Sequence, residues 1–171
     1  LAIRSDITVQ VGRVATTLMA SAPRPLRLSY AGQVLRIASD QLAPERERLQ
    51  IGAELIGHDN IAAAQEVVRI AIEALVQAGA TGITVDLTLP DLVDTLASSA
   101  FPLPPGMIGA VRRELDMKDA GGLTALGADA YLPLLYAMGP FEAAIDALAA
   151  IDAGGALASR IRALREIVAA L

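Results

Sequence analysis

The residues with the most definite chemical potential are Gln50, Gly52 and Glu54, which are separated from one another by single apolar residues. In a β-strand this spacing sends all three to one face, because successive side chains point to opposite sides. A carboxylate pairs with an ammonium group, a primary amide both donates and accepts hydrogen bonds, and a glycine lets a ligand approach the backbone. The pattern therefore indicates a small site for an amino acid. An exposed sheet face with a glycine at a bulge explains the same residues, and spacing alone favours that simpler interpretation.

Three other polar residues could contribute to such a site. Arg36 lies on the preceding extended segment, from which its guanidinium could bind a phosphate or carboxylate over the same face. Asp6 and Thr8 open a helical pattern, where an aspartate commonly accepts hydrogen bonds from the first backbone N–H groups. The same carboxylate could meet a ligand ammonium. A solvated arginine and a capping aspartate are the explanations that need no ligand.

The composition argues against several other kinds of site. Cysteine is absent and His58 is the single histidine, so thiolate and histidine clusters for a metal cannot form. Residues 119–123 contain a glycine pair but lack the lysine and hydroxyl residue of a phosphate-binding loop. The net charge of -5 opposes a large nucleic-acid-binding face, and polar residues interrupt the apolar runs before they could span a membrane. We expect a soluble, cytoplasmic protein without metal or cofactor that binds neither nucleic acid nor membrane.

The elements that position the polar residues can be predicted from hydrophobic periodicity. Apolar residues at helical spacing predict a first helix that begins with Asp6 as its N-cap. Alternation from Leu26, with a bend or bulge at Gly32, predicts an extended segment that leads into a polar stretch at 39–47. A returning strand at 48–56 completes a long hairpin, and the polar stretch is its tip.

The remainder of the chain shows a change in composition. A long apolar helix is predicted over 60–78, followed by a strand over 82–89. Runs of alanine and leucine broken by glycine then predict several short helices up to the last residue. We place the division between two domains after Ser98, so that 1–98 form a mixed α and β core and 99–171 an all-α segment.

Both ends of the sequence lack the usual signals of a natural terminus. Leu1 is not a methionine and the first residues resemble a strand already in progress, while Leu171 lies in a helical pattern without a glycine or proline to stop it. We expect the natural protein to continue in both directions.

Three segments in this order resemble the histidyl-tRNA synthetase core: 4–10 (RSDITVQ) followed by Arg13, 25–36 (PLRLSYAGQVLR) and 44–57 (PERERLQIGAELIG). The similarity is greater to the non-catalytic relative of that enzyme, the family of ATP phosphoribosyltransferase regulatory subunits, and it covers 1–98. The resemblance implies an α+β fold, with part of a class II aminoacyl-tRNA synthetase-like antiparallel sheet and flanking helices, joined to the all-α segment.

The resemblance also implies roles for the polar residues. In histidyl-tRNA synthetases the residues that match Asp6, Thr8, Gln50 and Glu54 line the histidine pocket. Arg36 matches the arginine that holds the α-phosphate of ATP. The resemblance thus makes ligand binding by Gln50 and Glu54 the favoured interpretation of the polar face.

Several departures from the enzyme's pattern point to the regulator. The segment 37–44 (IASDQLAP) stands where a synthetase has a loop similar to Glu-Arg-Pro-Gln that handles ATP and tRNA. Arg48 replaces an expected aromatic residue, and Asp6 replaces the more usual glutamate, as it does in the regulatory family. Val9 departs from a proline common in that family. These changes imply that the anion-binding role of Arg36 is vestigial and that the chain performs no catalysis.

The function implied by this resemblance is allosteric. We expect a regulatory subunit that assembles with the short catalytic form of ATP phosphoribosyltransferase, self-associates, and conveys feedback by histidine on the first step of histidine biosynthesis. The alternative is part of a catalytic histidyl-tRNA synthetase, an ATP-dependent ligase. A helical interaction module without a ligand is a third possibility, but it accounts for 101–171 alone.

Overall fold

A computed structural model describes residues 4–38, 44–152 and 154–171, and it divides into two compact units. The first comprises the described residues up to Ile83 together with Ala170 and Leu171, and the second runs from Thr84 to Ala169. Two antiparallel strands and two helices make up the first unit, and the second is helical. The α+β class predicted from the sequence is confirmed. None of the helices in the described residues is both long and apolar enough to cross a bilayer.

The hairpin of the first unit is formed by β1 (Leu26–Leu35) and β2 (Glu47–Ile56). The ladder is continuous, with Leu26 opposite Ile56 and Leu35 opposite Glu47. The predicted long hairpin is therefore confirmed, whereas the predicted bend at Gly32 is wrong, because Gly32 pairs with Gln50 within the regular ladder. Residues 39–43 of the predicted tip lie outside the described residues, as do 1–3, which were expected to end a strand.

Burial separates the two faces of this hairpin. The even-numbered residues of both strands, which form what we call the even face, are buried or half-buried. Nearly all odd-numbered residues are exposed, including Ile51 with 74% of its surface accessible. Even-numbered residues of one strand lie opposite even-numbered residues of the other, so they share one face of the hairpin. Gln50 and Glu54 both lie on this face, as their spacing predicts.

Helix α1 (Thr8–Thr16) contacts both strands. Its N-cap is Ile7, so the predicted start at Asp6 was one residue too early. The absence of a side chain at Gly32 matters here, because a Cβ at that position would lie 3.1 Å from Cδ1 of the buried Ile7. The chain before the helix is attached to the outer side of β1, where the carbonyl oxygen of Arg4 accepts a hydrogen bond from Leu35 at 2.8 Å.

Helix α2 (Ile61–Gln77) follows the hairpin and confirms the predicted long helix. Asn60 caps it by accepting a hydrogen bond from the backbone N–H of Ala63 at 2.8 Å. Arg27, on the odd face of β1, donates two hydrogen bonds to the carboxylate of Glu66, at 2.5 and 2.9 Å. This bidentate pair connects α2 to the face of the hairpin that α1 does not cover.

The second unit contains α3 (Leu92–Ala97), α4 (Ile108–Asp116), α5 (Ala120–Ala125), α6 (Phe141–Ile151) and α7 (Ala158–Val168), with 3₁₀ turns at Pro105–Met107 and Asp129–Tyr136. Its core is aliphatic except for Tyr131, which is 1% exposed. The Tyr131 hydroxyl donates to the carbonyl oxygen of Phe101 at 2.8 Å, and the two rings meet edge to face. The helix bounds confirm the predicted series of short helices.

Two details of this region differ from the sequence-based expectation. Residues 82–89 form no strand, since they pair with no other described segment. Helix α3 packs with the second unit through Val93 and Leu96. The boundary between the two compact units therefore falls in the sequence between Ile83 and Thr84. The domain division after Ser98 stays a prediction based on composition.

Candidate functional site

The polar residues predicted from the sequence lie in two places on the first unit. Asp6 and Thr8 lie at the start of α1, and Gln50 and Glu54 lie on the even face of β2. A hydrogen-bond network brings Thr8 and Gln50 together. The backbone N–H of Ile7 donates to Oε1 of Gln50 at 3.0 Å, so one glutamine attaches the first turn of the helix to the strand.

Tyr30 is the centre of this network, and the sequence interpretation did not include it. Its hydroxyl oxygen lies 2.9 Å from Oγ1 of Thr8 and 3.4 Å from Nε2 of Gln50. The amide nitrogen can only donate, so the tyrosine oxygen accepts from Gln50 and is free to donate its own proton to Thr8. Helix, first strand and second strand each supply one side chain to a continuous chain of hydrogen bonds.

The position of the Tyr30 ring follows from the strand register. Tyr30 is directly opposite Gly52, and a Cβ built on Gly52 would lie 2.4 Å from both Cζ and Oη of the tyrosine. The end of the ring therefore occupies the space that the glycine leaves. The sequence suggested an open gap there in which a ligand approaches the backbone. In the structure an aromatic residue opposite a glycine covers it, as is common in sheets.

Asp6 lies beside this network as an exposed carboxylate. Its Oδ1 accepts a hydrogen bond from the backbone N–H of Thr8 at 2.5 Å. That bond is the main reason why the pKa of Asp6 is lowered, with smaller contributions from the side chains of Thr8 and Gln50, while desolvation acts in the opposite direction. Asp6 is therefore a fixed negative charge at neutral pH at the edge of the site.

Glu54 is the one acidic side chain on the even face within the described part of β2. It is half-buried, lies opposite Leu28, and is one even position beyond Gly52. Among the described residues its carboxylate accepts no hydrogen bond and forms no ion pair. A carboxylate of this kind is available to a cationic hydrogen-bond donor.

Arg36 is not part of the network. It lies beyond the end of β1, where its backbone N–H donates to the carbonyl oxygen of Arg46 at 2.8 Å and continues the pairing of the hairpin. The alternation of the ladder then places Arg36 on the even side, four residues from Gly32, which pairs with Gln50. At about 3.4 Å per residue this is roughly 14 Å from the level of Gln50. A role in anion binding stays a prediction.

A concave region occurs in the helical unit, and no residue predicted from the sequence lies there. It is an open cavity of about 360 Å³ whose lining residues are Ala149, Asp152, Gly155, Ala158, Ile161, Arg162, Arg165 and Glu166. Asp152 is 7% exposed and accepts a hydrogen bond from the backbone N–H of Leu157 at 2.8 Å. Its Oδ1 is buried and has no hydrogen-bond partner among the described residues. The bond from Leu157 makes Asp152 a structural residue at the start of α7.

Comparison with known proteins covers the whole chain. A sequence model of the family described as histidyl-tRNA synthetase matches residues 1–171. An ATP phosphoribosyltransferase regulatory subunit from Rhodospirillum centenum is 46% identical over 155 residues, which are 89% of this chain and 40% of that protein. The protein of the same description from Rhodospirillum rubrum is 44% identical over 167 residues, which are 96% of this chain and 43% of that protein.

A solved structure has the same fold. The crystal structure described as an ATP phosphoribosyltransferase regulatory subunit/histidyl-tRNA synthetase from Bacillus halodurans aligns with 98% of this chain and 45% of that chain, with a TM-score of 0.82 and 24% identity. At that identity the match concerns the fold, which is the class II synthetase-like fold expected from the sequence. The chain spans less than half the length of the relatives that it matches.

Proposed function

The chain belongs to the histidyl-tRNA synthetase family, and we propose that it is part of a regulatory subunit of ATP phosphoribosyltransferase that binds histidine without catalysing a reaction. Relatives described as that subunit, at 46% and 44% identity over most of the chain, support this choice within the family. The observation that carries the ligand assignment is Glu54, which is half-buried, has no partner among the described residues and lies on the same face as Gln50.

The arrangement suits a free amino acid. The ammonium group meets Glu54, with Asp6 as a second negative charge near the start of α1, and both carboxylates favour a cation over a neutral ligand. Gln50 gives direction, because its oxygen accepts from Ile7 and one hydrogen of its nitrogen is donated to Tyr30, which leaves the second hydrogen to be shared between Asp6 and the ligand. Thr8 contributes through Tyr30.

The regulatory role follows from binding without turnover. The partner is the short catalytic form of ATP phosphoribosyltransferase, and the protein also self-associates. Histidine changes the activity of the partner to the extent that it binds one assembly state more tightly than another. Arg36 is a vestigial anion contact in this proposal, at the end of the hairpin away from Glu54.

A catalytic histidyl-tRNA synthetase is the second candidate, and the description of the matching family favours it. The two candidates differ in chemistry. A synthetase transfers the adenylyl group of ATP to the carboxylate of histidine, which forms histidyl-adenylate and releases pyrophosphate, whereas the regulator binds histidine and leaves ATP unchanged. Incubation of the complete protein with histidine and labelled ATP, followed by an assay for adenylate, separates them. We expect no adenylate, and adenylate formation would overturn the regulatory assignment.

Glu54→Gln in the complete protein tests the ligand assignment by calorimetric titration with histidine. We expect histidine to bind at least about tenfold more weakly, because a charge-assisted hydrogen bond is replaced by a neutral one. Glu47→Gln is the matched control, since Glu47 lies on the same strand but on the exposed odd face, and its affinity should equal that of the wild type. Equal histidine affinity in Glu54→Gln and the wild type would contradict the assignment.

A further inference from the structure

The amide of Gln50 is held at both of its ends. Its oxygen accepts from the backbone N–H of Ile7, and its nitrogen donates to the hydroxyl of Tyr30. One hydrogen bond alone leaves an amide free to rotate about that contact. Two contacts on different elements define its plane and thus the direction of the remaining N–H.

The hydroxyl of Tyr30 is itself held in position. The end of the ring occupies the space that a Cβ on Gly52 would fill, so the glycine is what permits this position of the ring. Thr8 lies 2.9 Å from the tyrosine oxygen, on the side of α1. The position of the Tyr30 hydroxyl is thus determined by its pairing with Gly52 across the hairpin and by its contact with Thr8 of the helix.

We propose that Tyr30 is a positioning residue of the ligand site, which acts through Gln50 by fixing the direction in which the amide N–H is presented. The proposal rests on histidine binding at Glu54 and Gln50 as set out above. With one lone pair of its oxygen engaged by Ile7, Gln50 directs its remaining N–H toward the ligand, where this donor pairs with an acceptor atom such as a carboxylate oxygen or an unprotonated ring nitrogen.

Tyr30→Phe removes the hydroxyl and keeps the ring over Gly52. We expect the complete protein with this change to bind histidine about five- to tenfold more weakly in calorimetry, which is the size of one ordinary hydrogen bond. Its thermal midpoint should fall only by the few degrees that the loss of a partly exposed hydrogen bond costs. Tyr136→Phe is the control, because Tyr136 is 80% exposed and lies in the helical unit.

A positioning role is separated from a general structural one by combining Tyr30→Phe with Gln50→Ala. If Tyr30 acts through Gln50, the double variant binds histidine no more weakly than Gln50→Ala alone. Losses that multiply in the double variant would overturn the inference, as would wild-type affinity in Tyr30→Phe. The side-chain amide signals of Gln50 in NMR give a readout without ligand, and they should broaden in Tyr30→Phe.

The same experiments distinguish failure of the inference from failure of the proposed function. If wild-type protein binds no histidine while the Gln50 signals are sharp, the proposed function is wrong and the role of Tyr30 toward that ligand is wrong with it. If wild-type protein binds histidine and Tyr30→Phe binds it equally well, the inference alone is overturned. Sharp Gln50 signals in Tyr30→Phe would likewise show that Ile7 is sufficient to hold the amide.

Discussion

Gly52→Ala should destabilise the hairpin because of one specific contact. The added Cβ would lie 2.4 Å from Cζ and Oη of Tyr30, whereas ordinary van der Waals contacts begin near 3.4 Å. The ring must therefore move by about 1 Å or more, and that movement weakens the contact of its hydroxyl with Thr8. Overpacking of this kind costs about 1–3 kcal/mol, so we expect the free energy of unfolding to fall by that amount.

Urea unfolding followed by far-UV circular dichroism measures this loss, and the midpoint should fall by roughly 1 M. Hydrogen exchange of the β1 and β2 amides assigns the change to the first unit, since these amides report on the hairpin directly. Gly12→Ala is the control. A Cβ on Gly12 meets nothing within 4 Å, and alanine in a helix should raise stability by about 0.5–1 kcal/mol.

The steric explanation predicts that the penalty depends on the tyrosine. In a Tyr30→Ala background the space over Gly52 is empty, and Gly52→Ala should cost little, which gives a coupling energy of at least about 1 kcal/mol. A Gly52→Ala variant as stable as the wild type would refute the reasoning. A penalty of equal size in both backgrounds would do so as well, because it would assign the loss to the backbone of the glycine.

The remaining predictions concern the helical unit. Asp152→Ala should lower the free energy of unfolding by about 1–3 kcal/mol, since the N–H of Leu157 loses its acceptor, whereas Asp152→Asn keeps an oxygen there and should lose less; equal urea midpoints for both variants would contradict this. Tyr131→Phe should lower the free energy of unfolding by about 0.5–1.5 kcal/mol, because the carbonyl oxygen of Phe101 loses its hydrogen bond from the tyrosine hydroxyl. Burial, and secondarily Asp94, raises the pKa of Tyr131 above its usual 10.0, so the stabilisation is present below pH 10 and is lost as the pH rises toward the folded-state value. Tyr131→Phe should remove that part of the alkaline destabilisation, and an unchanged loss of stability above pH 10 would argue against the assignment.

Local patterns in the sequence were sufficient to predict the helices and strands that depend on contacts between residues close together in the chain. The alternation of Gln50, Gly52 and Glu54 predicts their common face correctly, because β2 is regular over its whole length. Asn60 and the apolar run that follows predict α2 in the same way. The helix at 8–16 was recognised too, although the boundary at Asp6 was wrong, because that carboxylate bonds to Thr8 without being the N-cap residue.

Patterns that depend on a partner were less informative. Residues 82–89 have the alternation of a strand, with Ile83 and Leu87 half-buried, but no described segment lies beside them to form a ladder. Gly32 suggested a bend, since glycine often interrupts strands, yet its missing side chain makes room for Ile7 while the ladder continues. In both cases the deciding contact comes from residues distant in the sequence.

The network around Tyr30 shows why a site residue can be absent from a sequence-based account. Tyr30 and Gly52 are neighbours because of the strand register, and register depends on the pairing of two segments that are separately unremarkable. Had Leu26 been paired with Ile56 from the sequence, Tyr30 opposite Gly52 would have followed by counting. The register therefore shows that the space beside Gly52, which we expected a ligand to use, is filled by the ring of Tyr30. In the proposed site the ligand would then meet the carboxylate of Glu54 and the amide of Gln50, on either side of the tyrosine.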